Sequence, residues 1–326
     1  MKALILAGGL GTRLRPLTHT RPKHLLPIAG RPHIEHVLDL LVDHGISDVV
    51  LTTSYLAHAF AETRRTAAAR GINVEIAHEP EPRGTAGAIK NAAPLVADGT
   101  FLVFNGDVLT DVDLHALIAF HRDREAAATI LLTPVEDPSA YGIVPTDGRG
   151  RVTRFVEKPS PAEATTNMIN AGVYVVEPDV LDRIPPDVAV SIERETFPKS
   201  VEREDVFAWG SDAYWIDIGT PQKYLAANLD ALAGRIRIDA SDPVTEGILI
   251  GSGASISDAA RVSSSCIGSD CIIENGATVR ECVLLPRASV GSRAELVGCI
   301  LGEGARVRAG ASLTGVTLGD GETRGD

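Results

Sequence analysis

In the first half of the chain, short apolar runs alternate with stretches of helical period. "ALILAG" precedes "HIEHVLDLLVDHG", "DVVLTT" precedes "LAHAFAETRRTAAARG", "NVEIAHE" precedes "GTAGAIKNAAPLV", and "TFLVFNGD" precedes "VDLHALIAFHRDR". Strands alternating with amphipathic helices predict a mostly parallel sheet with helices on both faces, which takes its ligands at the carboxyl ends of the strands. Further on, "YGIVPT", "VTRFVEKP" and "NAGVYVVE" are shorter and turn-rich. They predict an added antiparallel portion that holds a second substrate.

From Ile250 the period changes. Aliphatics fall at Ile250, Ile256, Val262, Ile267, Ile273, Val279, Leu284, Val290, Leu296, Leu301, Val307, Leu313 and Leu318, in steps of six, six and five, so the repeat is seventeen residues. Ala260, Ala277, Ala294 and Ala311 keep the same register, as do Gly251, Gly268, Gly302 and Gly319. Hexapeptide periodicity predicts a parallel β-helix of triangular section, each coil pointing one aliphatic inward per face. Four coils of roughly 4.8 Å make a prism on the order of 20 Å tall. The expected limits are a first domain over 1–233, a linker over 234–247 and the β-helix over 248–326. The unbroken repeat is expected to be structural or oligomer-forming, so deletion after about residue 240 should alter assembly or stability more than chemistry.

Composition narrows the partners. A chain of 326 residues, 44% hydrophobic, is long enough for two cores, and a formal charge of -12 opposes broad binding to nucleic acid or anionic membrane. Any basic site is local. No window approaches the eighteen or so apolar residues of a membrane span, so a soluble, cytoplasmic protein is expected. Cys266, Cys271, Cys282 and Cys299 contain no CxxC pair, and no histidine lies beyond His121, so no zinc pattern exists. Cys282 and Cys299 stand one repeat apart and should stack as a reduced pair.

The candidate chemistry starts in "MKALILAGGLGTRLR". Leu14 occupies the place of the third glycine of a dinucleotide fingerprint, and no Gly-Lys-Ser/Thr follows, so neither common nucleotide motif fits. A glycine turn entering a helix still presents backbone N–H groups to phosphate. Arg13 and Arg15 lie in the turn, and Lys23 follows in "RPKHLLP", whose prolines should hold it extended. Three cations beside a glycine loop suggest a triphosphate.

"LILAGGLGTRLRPLT" with "RPKHLLP" resembles the signature of sugar-1-phosphate nucleotidyltransferases, and "GTAGAI", "FNGDV", "YGIV", "FVEKP", "INAGVY", "SIERETFP" and "WIDIGTPQKYL" look most like mannose-1-phosphate guanylyltransferases. The resemblance runs from Met1 to about Leu232, with His24 departing from the proline many relatives carry. It implies a Rossmann-like α/β nucleotidyltransferase domain with a mixed sheet, followed by a left-handed parallel β-helix. It also implies transfer of a nucleoside monophosphate from GTP to a sugar 1-phosphate with release of pyrophosphate.

By that resemblance Leu6, Ala7, Gly8, Gly9, Gly11, Thr12, Gly84 and Thr85 line the nucleotide. Arg13 holds the departing phosphates, Lys23 sits at the α-phosphate, and Asp107 and Asp217 bind Mg2+. Asp111 and Asp113 are read as capping residues. Glu79 falls at the base-contacting position, and a carboxylate, which only accepts, suits guanine's two adjacent donors better than thymine or uracil. Tyr141, Gly142, Glu157, Asn170 and Gly172 are assigned to the sugar and Lys158 to its phosphate.

Mannose and glucose differ in one hydroxyl's orientation, which no motif resolves, and cyclitol or heptose phosphates stay open. A thymidylyltransferase is the nearest enzymatic alternative, and a regulatory subunit sensing GDP-sugar is the non-enzymatic one. Acetyl transfer by the tail lacks a histidine base, since all nine histidines lie at or before His121. A homo-oligomer is expected.

Overall fold

The computed structural model describes every residue except Tyr55 and Asp326, the latter the last residue of the expected β-helix. The chain forms two compact units: Met1–Gly9 with Val37–Trp215, and Leu10–His36 with Ile216–Asp326. In this division Leu10–His36 groups with the tail.

The first unit is built on one nine-stranded sheet. Its strands are β1 (Lys2–Leu6), β2 (Asp48–Thr53), β3 (Asn73–His78), β4 (Phe101–Asn105), β5 (Ala128–Pro134), β6 (Gly142–Ile143), β7 (Val156–Glu157), β8 (Met168–Val176) and β9 (Val206–Gly210). Their order is β7-β6-β8-β4-β1-β2-β3, with β5 pairing β8 and β9. β4, β1, β2 and β3 run parallel, as the alternation with helices requires. β8 runs antiparallel to β4, β5 and β6, so the expected antiparallel portion is continuous with the parallel sheet. The core under it includes Leu4, Val50, Val103, Ile130, Tyr174 and Phe197, all buried.

In the second unit the tail is a parallel β-helix. Three sheets stack in a register of seventeen: Ile250, Ile267, Leu284, Leu301 and Leu318 pair in turn along one face, and Ile273, Val290 and Val307 along the next. Val262, Val279, Leu296 and Leu313 line the third. The interior stacks are buried from Ile267 onward, with Ala277, Ala294 and Ala311 filling the gaps. Ile250 departs from expectation at 47% exposed, because the first coil has no coil below it. The recurring glycines occupy corners where backbones touch: a Cβ on Gly268 would meet Leu284 O at 2.7 Å. Cys282 and Cys299 are buried free thiols on neighbouring coils, and Cys299 N donates to Cys282 Sγ at 3.3 Å.

The outward positions of one face are also apolar and buried. Leu249, Cys266, Val283 and Ile300 recur every seventeen residues, and the helix Pro221–Leu232 packs on this face, with buried Asn228 accepting from Cys266 Sγ at 3.6 Å. On the other faces the corresponding positions are mostly polar, as at Ser289, Arg306, Arg261 and Glu295.

Within the same unit His36 donates from Nε2 to Ile28 O at 2.9 Å, and burial pushes its pKa down to about 4. Its Nδ1 is buried with no partner, so a second proton has no acceptor. The unfolded chain takes up this proton near pH 6.5, so stability is complete above that value and is lost as pH falls toward 4, by roughly 2–3 kcal/mol at pH 4.5. His36→Gln retains a donor and cannot titrate. Its urea midpoint is expected to fall less than that of wild type between pH 7 and 4.5, and equal falls would exclude His36 as the cause.

Candidate active site

Three parallel strands end side by side, and the chain beyond each supplies one part of a site. β1 runs into Gly8, β2 into Ser54 and β3 into Glu79. Ala7 N donates to Thr52 O at 3.0 Å, Ser54 Oγ to Gly8 O at 2.8 Å, and Glu79 N to Thr53 O at 3.0 Å, so the three termini are laced together. A Cβ on Gly8 would come 3.0 Å from Glu79 Oε1, so only glycine lets the carboxylate lie against the turn. Glu79 is 2% exposed, not the solvated loop residue that its setting between His78 and Pro80 suggests. Burial pushes its pKa up, opposed by Arg83 N–H and the Thr52 hydroxyl. Asp107 follows the fourth parallel strand, β4, at the same edge, where Gly106 N donates to Leu6 O at 3.1 Å.

Of the two nearby aspartates, Asp113 caps the helix Leu114–Asp123 by accepting from Ala116 N at 3.1 Å. Asp111 is no cap and accepts instead from Tyr214 N at 2.9 Å. Asp113 also stands 3.7 Å from His44 Nε2, near His115, the one group of metal-ligand type among the described residues. The positive end of the capped helix opposes a cation there, so the arrangement reads as a surface contact between His44 and a helix-capping carboxylate.

A second constellation gathers on β6, β7 and β8. Gly142 pairs with Glu157, Lys158 N donates to Tyr141 O at 2.8 Å, and a Cβ on Gly142 would meet Glu157 Oε2 at 2.8 Å. Asn170 and Gly172 lie where the register of β8 against β5 shifts. Gly172 has φ +72°, Gly172 N donates to Asn170 Oδ1 at 2.9 Å, and a Cβ there would come 2.7 Å from Asn105 Nδ2. Gly142, Glu157, Asn170 and Gly172 thus fall on one run of adjacent strands, with Tyr141 and Lys158 directly beside it.

Sequence reasoning missed Glu193 and Trp215, although both lie inside quoted motifs. Glu193 accepts from Thr85 Oγ1 and Ser191 Oγ, each at 2.7 Å, and from Tyr174 OH at 3.4 Å, while Asn170 Nδ2 donates to Tyr174 OH at 2.8 Å. The Thr85 hydroxyl thus donates to Glu193 and accepts from Ile192 N at 2.8 Å, both within the protein. Burial, with the nearby Glu193 charge, pushes the Glu157 pKa up. Trp215 Nε1 donates to Ala171 O at 2.8 Å and its ring meets Tyr141 edge-on at 5.5 Å.

Arg13, Arg15 and Lys23 belong to the second unit. The helix that the glycine turn enters is only a short one. Gly11, at φ +60°, caps a single 3-10 turn over Thr12–Leu14, and Pro16 beyond its cap Arg15 forbids continuation. Nor is "RPKHLLP" wholly extended, since Lys23–Leu25 make another 3-10 turn around buried His24. Arg13 lies over Gly219, where a Cβ would meet its Nη2 at 2.8 Å and Asp217 Oδ1 at 3.0 Å. Asp217 accepts from Gly219 N at 3.2 Å and pairs with the Lys223 ammonium. A carboxylate that already gathers cations, with hard oxygen donors, fits a divalent metal such as magnesium, and Asp107 offers the same donor type.

The family model described as Nucleotidyl transferase matches residues 2–234, and the model described as GMPPB C-terminal domain matches residues 244–322. The chain is similar to a mannose-1-phosphate guanylyltransferase of Mycobacterium tuberculosis, 43% identical over 71% of this chain and 65% of that protein. Against this relative the match thus spans just under two thirds of its length. A probable mannose-1-phosphate guanylyltransferase 2 of Arabidopsis thaliana is 36% identical over 89% of this chain and 86% of its own. Among solved structures, HddC from Yersinia pseudotuberculosis complexed with GMP-PN is 32% identical, with a TM-score of 0.61 over 70% of this chain and 97% of that one. A putative glucose-1-phosphate thymidylyltransferase from Bacillus anthracis, 24% identical with a TM-score of 0.66 over 73% of this chain and 97% of its own, shares the fold. No helix among the described residues is long and apolar enough to cross a membrane.

Proposed function

Because the chain belongs to the nucleotidyl transferase family, we propose that it transfers GMP from GTP to mannose 1-phosphate, giving GDP-mannose and pyrophosphate. The observation that carries the nucleotide choice is Glu79, buried against Gly8 at the carboxyl edge of the parallel strands. An ionised carboxylate there accepts from N1–H and N2–H₂ of guanine together. The relatives' names and the GMP-PN complex of HddC point the same way.

The reaction needs an oxygen of the sugar phosphate to attack the α-phosphorus as pyrophosphate departs, so charge must be neutralised at both ends. Backbone N–H groups of the glycine turn and the Arg13 guanidinium hold the departing phosphates, and Lys23 stabilises charge at the α-phosphorus. Glu157 accepts from vicinal hydroxyls of the sugar, Asn170 and the side-chain-free Gly172 shape its other side, and Lys158 takes its phosphate. Asp107 and Asp217 would each supply a carboxylate to magnesium, which when bound screens the phosphate charge.

The test is pyrophosphate release from GTP, ATP, dTTP and UTP against a panel of hexose, heptose and cyclitol phosphates. GTP with mannose 1-phosphate is expected to give the highest kcat/KM. A higher value with dTTP and glucose 1-phosphate would replace this reading by the thymidylyltransferase one.

A further inference from the structure

The segment from the glycine turn to the first helix has little structure of its own: two 3-10 turns and a two-residue hairpin pairing Pro27–Ile28 with Arg31–Pro32. Its course is therefore set by what it is tied to. At one end Arg21, 20% exposed, donates to Glu303 at 2.6 Å and to Asp320 at 2.8 Å, and Thr20 Oγ1 also donates to Asp320. Glu303 and Asp320 stand one repeat apart on neighbouring coils, and Glu303 N donates to Asp320 Oδ1 at 2.8 Å, so the stacking of the coils makes the acceptor pair. Asp320 keeps its carboxyl below the usual range despite burial, through Thr20 and Arg21. Pro16 packs at Gly319, where a Cβ would come 3.0 Å from its ring.

The far end is tied as well. Tyr224 OH donates to Pro27 O at 2.7 Å, Ala29 N to Asn228 Oδ1 at 3.0 Å, and Ser241 N to Ala29 O at 2.9 Å. Between the two ends a cavity of about 350 Å³ separates Leu25, Pro27 and Pro32 from Leu249, Cys266 and Val283. The segment is thus tied to its own unit at both ends, and Lys23 sits just past the Arg21 anchor.

We propose that Arg21 is a positioning residue: clamped by the last two coils, it fixes Lys23 and the Arg13 turn, so that the β-helix sets how well the nucleotide is held. The proposal rests on reading Arg13 and Lys23 as phosphate-binding. It also makes the tail inseparable from the chemistry, because deletion after residue 240 removes Ser241, Glu303 and Asp320 together.

The test uses the full chain carrying Arg21→Ala, with Arg21→Lys as the conservative variant and Asp320→Asn removing one acceptor charge. For Arg21→Ala the KM for GTP, or for whichever nucleotide wild type turns over, is expected to rise about tenfold, equivalent to about 1.4 kcal/mol. The KM for the sugar phosphate should stay within about twofold, and Arg21→Lys should recover part of the loss. General destabilisation would lower the active fraction and leave both KM values alone. An unchanged nucleotide KM in folded variants, or equal movement of both, would overturn the proposal.

Hydrogen exchange reads the clamp without turnover. Amides of Leu14, Leu17, Leu25 and Leu26, each bonded within the segment, should exchange faster in Arg21→Ala. Unchanged exchange overturns the clamp whatever the reaction; faster exchange supports it even where the nucleotide is not GTP.

Discussion

Asp107→Ala and Asp217→Ala should each lower turnover by at least about a thousandfold while leaving the protein folded, the size expected when a main electrostatic contributor to a phosphoryl-type transition state is removed. Asp107 stands beyond the end of β4, where the parallel strands present their ligand edge, and its backbone neighbour Gly106 is tied to β1 through Leu6. Neither the strand nor that bond depends on the Asp107 side chain, so the fold should survive its loss. Asp217 carries a second task, pairing with Lys223 beside Arg13. Alanine there removes the carboxylate that pairs with this ammonium, and Asp217→Asn keeps the shape while removing the charge.

The measurement is pyrophosphate release across a magnesium titration, with circular dichroism as the folding control. Both alanine variants are expected to stay inactive at every metal concentration. Full activity of either in magnesium would remove that residue from the metal site.

Glu79 should select guanine by roughly tenfold to a few thousandfold in kcat/KM, at about 1.4 kcal/mol per decade. A charge-assisted hydrogen bond contributes roughly 1.5–3 kcal/mol, and a buried donor left without a partner costs about 1–3 kcal/mol. With thymine one carboxylate oxygen would face a carbonyl, so repulsion adds to the lost bond. Glu79→Gln should narrow the gap, because an amide both donates to a pyrimidine carbonyl and accepts from its N–H.

Since burial pushes the Glu79 pKa up, the preference for GTP should also weaken as pH falls through that raised value and the carboxylate takes a proton. In Glu79→Gln this acid dependence should be absent. The experiment is kcat/KM for GTP, dTTP and UTP in both proteins across pH. Wild type preferring dTTP, or a mutant with unchanged selectivity, would take Glu79 out of the base site and restore the thymidylyltransferase alternative.

Features that repeat with a local period are legible in the amino-acid order. One aliphatic per face per coil is the only arrangement that buries a seventeen-residue repeat, so the pairing of Ile267, Leu284 and Leu301 follows from spacing alone. The parallel direction of β1, β2, β3 and β4, though not their order, follows from strands alternating with helices, and with it the edge on which Gly8, Glu79 and Asp107 lie. The grouping of Tyr141, Glu157, Asn170 and Gly172 came through motifs whose order matches a family, not through any period.

Which distant segments cover which faces is set by packing across the fold. A second stripe at Leu249, Cys266, Val283 and Ile300 recurs every seventeen residues but is not part of the hexapeptide reading, and nothing in its spacing says that helix Pro221–Leu232 is part of the cover. Proline-rich Leu10–His36 has no period, so its membership of the tail's unit was unreadable. The burial of Glu79 and the bonds converging on Glu193 are likewise non-local, made by residues far apart in the chain. Periodicity reports the geometry of a residue's own element, whereas apolar faces and buried carboxylates find their partners by shape and charge across the fold, which no local pattern encodes.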